Sequence, residues 1–130
     1  MVYYEKDYIM RLIHGISRAL ARLFLSRELE DGGAALTVLD TAVRETDDYL
    51  KRMIDAGSIN AAENRLFELI GSSAWEQKQL AALIISFYDY ANTKDDAFLE
   101  SAGFSREEIA DGLEEAMKAV GLEIPEYLRI

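Results

Sequence analysis

SAWEQKQLAALIISFYDYANT, residues 73–93, is the stretch on which the reading of the whole chain turns. From Leu80 onward its apolar residues are Leu80, Ala81, Ala82, Leu83, Ile84, Ile85, Phe87, Tyr88 and Ala91. Laid out at about 100° per residue they point in nearly every direction, and only Ser86 and Asp89 hold a narrow polar stripe. A helix that is apolar almost all round must be covered on several sides at once, so the pattern predicts a central helix wrapped by others. It does not predict a membrane span, because the uninterrupted apolar run, Leu80 to Ile85, is six residues where a span needs about twenty. Ser73 with Glu76 three residues on predicts the capping box that opens this helix.

Working outward, residues 58–70 read as a short helix with Ile59, Ala62, Leu66, Phe67, Leu69 and Ile70 on one side, capped by Ser58 or by Asn60 with Glu63. Gly71 stops it, and the short connection that follows predicts an antiparallel hairpin with the central helix. On the other side, Thr93 with Asp96 reads as the cap of a small helix carrying Ala97, Phe98 and Leu99 and closed by Gly103. Phe104, Ser105, Glu108 and Ile109 then form the clearest local signal in the chain. Ser105 and Glu108 make a capping box, Phe104 and Ile109 make a hydrophobic staple, and the helix they start at Arg106 runs to about Val120. The tail, residues 122–130, contains the only proline, Pro125, and leaves Leu122, Ile124, Tyr127, Leu128 and Ile130 to be covered by the body or by a second copy.

Toward the N-terminus, residues 34–56 read as a helix through Leu36, Leu39, Val43, Tyr49, Leu50, Met53 and Ile54, with Gly57 as the residue that ends it in a left-handed turn. RELEDGG, residues 27–33, is a loop. Residues 4–26 form an amphipathic helix with Ile9, Leu12, Ile13, Ile16, Leu20, Leu23 and Phe24 on one face and Arg11, Arg18 and Arg22 on the other. Together these segments predict an all-α, single-domain irregular bundle of about six helices built from antiparallel hairpins. The hairpins give it a weak tetratricopeptide-like character, yet no period of about 34 residues repeats its small and large positions.

The formal net charge is -10 and charged residues are 29% of the chain, an ordinary globular composition. Residues 1–27 hold five basic residues against two acidic ones, a balance of +3, and the remainder carries -13. An acidic body excludes general nucleic-acid binding, which needs many cations facing phosphates. The absence of cysteine excludes disulfides, thiolate metal sites and cysteine nucleophiles. Glu5, Lys6 and Asp7 stand where a signal peptide would be apolar, so a cytoplasmic protein is expected.

Few residues carry chemistry. His14 is the single histidine, on the polar side of the first helix, so a bundle metal site would lack its ligands. The acidic group Glu107, Glu108, Asp111, Glu114 and Glu115 reads as a solvated face favoured by the helix dipole. Asp89 needs a partner if buried, and an arginine of the first helix is the expected one. No catalytic, cofactor-binding or metal residue is assigned and no cofactor is expected. Tyrosine is enriched at interfaces, so the aromatic N-terminus, the basic face and the tail make the candidate interaction surface: Tyr3, Tyr4, Arg11, Arg18, Arg22, Tyr127 and Leu128.

Tyr4-Glu5-Lys6-Asp7-Tyr8-Ile9-Met10-Arg11, together with Phe98-Leu99 and Gly103-Phe104-Ser105-Arg106-Glu107-Glu108-Ile109, resembles a family of small uncharacterised proteins of Gram-positive bacteria. The likeness spans most of the chain. It implies a stand-alone, all-helical cytoplasmic protein with no activity or catalytic residue to carry over. The leading expectation is a non-enzymatic interaction or scaffold module that binds another protein or itself. The alternatives are a small-molecule-binding or enzymatic bundle with a pocket near Tyr88, Asp89 and Tyr90, and peripheral attachment of the first helix to a membrane surface, against which stands the plainer reading of its basic face as the solvated side of a packed helix.

Overall fold

Leu80, Ala81, Leu83, Ile84, Ile85, Phe87, Tyr88 and Ala91 are all buried, as an all-round apolar helix requires. The computed structural model describes residues 2–24, 41–72 and 74–125, the side chains of 2–7, 23 and 24 excepted. Among the described residues there are six helices and no strand. They are α1 (Val2–Phe24), α2 (Thr41–Asp55), α3 (Ile59–Gly71), α4 (Gln77–Asn92), α5 (Asp96–Ser101) and α6 (Arg106–Ala119). The central helix α4 packs against α1, α6, α2 and, more lightly, α3; α1 also meets α6, α2 meets α3, and α3 meets α6. Each fully buried Leu, Ile or Phe on α4 contributes about 1.5–3 kcal/mol relative to exposure, so this helix is the largest single source of the core's stability. The chain is a small single-domain all-α bundle.

The helix ends follow local chemistry where no tertiary partner competes. Gly57, at φ +84°, ends α2 in the left-handed conformation, with Gly57 N donating to Ile54 O (2.9 Å) and Ser58 N to Met53 O (2.9 Å). Ser105 Oγ accepts from Glu108 N at 3.1 Å to start α6, and Phe104 and Ile109 are both buried beside it.

Other expected caps are displaced. The central helix starts at Gln77 rather than at Ser73, and Glu76 N donates to Gln79 Oε1 at 2.9 Å. Ser72 instead closes α3 by donating through N (3.2 Å) and Oγ (3.0 Å) to Leu69 O. The connection therefore spans residues 72–76, longer than expected, and the main partners of α4 are the sequence-distant α1 and α6. At the start of α3, Ser58 makes no side-chain cap, Asn60 Nδ2 donates to Gly103 O at 3.3 Å, and Glu63 serves Tyr88. Asp95, not Thr93, caps α5 by accepting from Phe98 N at 2.8 Å. Thr93 lies beyond the last turn of α4 and donates through Oγ1 to Tyr90 O at 2.6 Å. Tyr49, read on the inward face, stands off the Val43, Leu50, Ile54 stripe and is 47% exposed. Residues 25–40, with the expected loop and the first part of the second helix, and residues 126–130 lie outside the described residues.

Candidate interaction surface

The seam between α1 and α6 leaves a space that the bundle does not fill. Ile9, Ile13 and Ile16 recur at helical spacing on one side of α1, and Ala110 and Leu113 face them from α6. Leu122 N donates to Met117 O at 2.9 Å, turning the chain back past the end of α6, and Ile124 completes the lining. Ile13, Ile16, Leu113 and Ile124 are buried, while Ile9 and Ala110 are partly exposed at the mouth. The result is an apolar pit of about 120 Å³. Glu107, Asp111 and Glu114 form its rim at i, i+4 and i+7 on α6. Of these, Glu107 lies in the first turn of α6, where the macrodipole favours negative charge. The exposed Lys118 ends the stripe one turn later.

The basic face of α1 is exposed as expected: Arg11, Arg18 and Arg22 share one stripe with Tyr8, which is 57% exposed. Arg11 and Arg22 each already interact with another group. The side chains of Tyr3 and Tyr4, and all of Tyr127 and Leu128, lie outside the described residues. His14 lies between the arginine stripe and the buried face of α1 and places Nδ1 3.0 Å from Asp89 Oδ1 on α4. Asp89 thus pairs with the histidine rather than with an arginine, and its side chain is 33% exposed rather than enclosed. In so open a setting the pair adds little to stability.

Tyr88, Asp89 and Tyr90 do not converge on one pocket. Tyr88 is fully buried and its Oη–H donates to Glu63 Oε2 at 2.6 Å. Burial and the hydrogen bond to Glu63 push the Tyr88 phenol well above its ordinary range, so it remains a donor. Burial also raises the Glu63 carboxyl; the Tyr88 hydrogen bond opposes this, and the nearby charges of Glu108 and Glu115 add to it. Gly112 of α6 lies against this pair: a Cβ there would come within 2.5 Å of Glu63 Oε2, 2.6 Å of Tyr88 Cε1 and 2.7 Å of Tyr88 Oη. Tyr90 faces elsewhere, donating to Asp55 Oδ1 at 2.7 Å. Lys94 Nζ donates to the same oxygen at 2.6 Å and lies 4.9 Å from the Tyr90 ring centroid. The Lys94 hydrogen bond, seconded by that of Tyr90, holds the Asp55 carboxyl below its usual range. Each of the three side chains fastens α4 to a different neighbour.

Arg106 is a structural residue that the sequence reading did not single out. It is 3% exposed. Its guanidinium donates to Asn92 O (2.7 Å), Asn92 Oδ1 (3.1 Å), Lys94 O (2.8 Å) and Asp96 Oδ1 (2.9 Å). Asn92 Nδ2 in turn donates to Met10 O at 2.8 Å. This chain of bonds satisfies carbonyls left over at the end of α4 and ties α6 to α1 through it. A signal was present, since position 106 falls three and seven residues before Ile109 and Leu113, on the apolar stripe of its helix.

Among the described residues no group of three or more His, Cys, Asp or Glu is arranged to hold a metal ion. Among the same residues no helix is long and apolar enough to cross a membrane. The model of a family of unknown function matches residues 3–121, which accords with the likeness to an uncharacterised family. No curated protein and no solved structure matches the chain.

Proposed function

This chain belongs to DUF6483, a family of unknown function, and from that premise we propose that it is a non-enzymatic helical interaction module, cytoplasmic, whose docking face is the α1–α6 seam. The observation that carries the reading is the apolar pit lined by Ile9, Ile13, Ile16, Ala110, Leu113 and Ile124 beneath a rim of carboxylates. An aliphatic hole with a charged rim has the anatomy of a small recognition site, an anchor position surrounded by groups that set orientation. The side chains that resemble a reactive set from sequence alone are occupied in holding helices together: Tyr88 with Glu63, Tyr90 with Asp55, and His14 with Asp89. The arginine stripe flanks the module and is not its docking face, because Arg11 and Arg22 already engage other groups.

A photo-crosslinking amino acid placed at position 110, and separately at the exposed positions 18 and 100, tests this in cells of the native host. A discrete adduct from position 110 that is absent from position 100 is expected. Adducts from position 18 alone would move the docking face to the basic stripe, and no adduct from any of the three would sink the module reading.

A further inference from the structure

Resting on the docking face proposed above, we infer that its occupant is a basic amphipathic helix of another protein, seating one aliphatic side chain in the pit and lysines or arginines against Glu107 and Asp111. Size sets the anchor. Apolar cavities of about 150 Å³ take up a benzene-sized guest, so a pit of about 120 Å³ accommodates one Leu- or Ile-sized group.

The fold sets the shape of the occupant. An added strand needs an exposed sheet edge, and among the described residues there is none. A polyproline segment needs an aromatic-lined groove, and among the described residues no aromatic one lines the pit. What the seam offers is the channel between two helices, with Glu107 and Asp111 one turn apart on its rim and Glu114, which already interacts with another group, beyond them. That spacing matches cations about one turn apart on a facing helix.

Charge sets the sign. Four of the six lining residues that form the pit wall are buried, while Glu107 and Asp111 on the rim are exposed, so the carboxylates decide which partner approaches. A second copy of this chain is a poor match. It carries the same net charge of -10, and two of the three arginines of its basic stripe are already engaged.

The test is a display selection of random 16-residue peptides against the full chain, with counter-selection against its Ala110→Glu variant, whose added carboxylate blocks the mouth. Expected are sequences with Leu or Ile flanked by Lys or Arg at spacings of three and four. A peptide so obtained, labelled with a fluorophore, should bind at least about tenfold more weakly to the Glu107→Gln/Asp111→Lys double variant and lose affinity as salt is raised. Circular dichroism confirms that each variant remains helical. Enriched peptides that are neutral or acidic would overturn the basic partner while leaving an interaction module standing. No enrichment over the Ala110→Glu variant, together with no adduct at position 110, would remove both. A dimer in sedimentation at micromolar concentration that Ala110→Glu dissolves would overturn the external partner in favour of a second copy. Enrichment seen only with the Tyr127→Asp/Leu128→Asp variant would assign the pit to the chain's own residues 126–130.

Discussion

The two sides of α6 are built on opposite terms. On one, Gly112 has no side chain, so the backbone of α6 closes onto Tyr88 and Glu63 and leaves no room for a methyl group. On the other, Ala110 and Leu113 meet the isoleucines of α1 across a pit of about 120 Å³. The close side joins a buried phenol to a carboxylate that must not lose its donor. The open side is aliphatic inside and acidic outside. A single helix thus divides the molecule into a face closed by packing and a face left open.

The sharpest way to break that contrast is to add volume to the close side. Gly112→Val should cost about 3 kcal/mol, since overpacking a tight contact costs about 1–3 kcal/mol and a β-branched residue recovers little helix propensity. Gly112→Ala should cost less, because the gain of about 1 kcal/mol in propensity offsets part of the clash. Urea unfolding measures both, and unchanged midpoints would show that the close approach does not constrain the fold. Next in size, Tyr88→Phe leaves the half-buried Glu63 carboxylate without its donor and should cost about 1–2 kcal/mol by the same measurement.

The acid response of the close side sharpens the contrast further. The Glu63 carboxyl is raised in the folded chain above its ordinary value of 4.5. Between the unfolded and folded values the folded state holds the extra proton, so this group's contribution is fully present below the unfolded value and declines as pH rises through the folded one. Glu63→Gln should remove that decline, so that wild type loses stability relative to the variant on going from about pH 4 to about pH 7. Thermal melts at the two ends of that window decide it, and parallel changes in the two proteins would count against the raised carboxyl. The smallest effect belongs to the open side. Ala110→Leu, at the partly exposed mouth of the pit, should change stability by less than about 0.5 kcal/mol or raise it slightly, since a surface position beside unfilled space tolerates volume. A loss as large as that of Gly112→Val would mean the two sides do not differ.

Much of the fold was legible where a pattern depends on period and local caps. The helical segments around Leu50, Leu66, Ile84 and Ile109 follow from apolar spacing, and Ser105 caps α6 by a bond between residues three apart. The caps that moved did so because a distant group made a better offer. Glu63 left the start of α3 for Tyr88, 25 residues on, and Asn60 turned to Gly103, 43 residues on. The candidate site was less legible. Glu107, Asp111 and Glu114 were visible as an acidic face, and Ile9, Ile13 and Ile16 as the inner face of the first helix, with nothing in either segment to say that the two adjoin. Gly112 went unremarked in the sequence, although a glycine within a helix, which costs about 1 kcal/mol against alanine unless contact requires it, is the signal that could have found the close side.

By itself the sequence determined that residues 80–91 would be enclosed, that the described segments would be helices, and that the body would be acidic, because periodicity and charge are properties of neighbours along the chain. Only the tertiary structure decided that α6 would sit between α3 and α1, close to one and short of filling the space beside the other. Packing is a fit of shapes between segments far apart in sequence, and a void or a contact at one methyl group's resolution exists only once those shapes are set side by side.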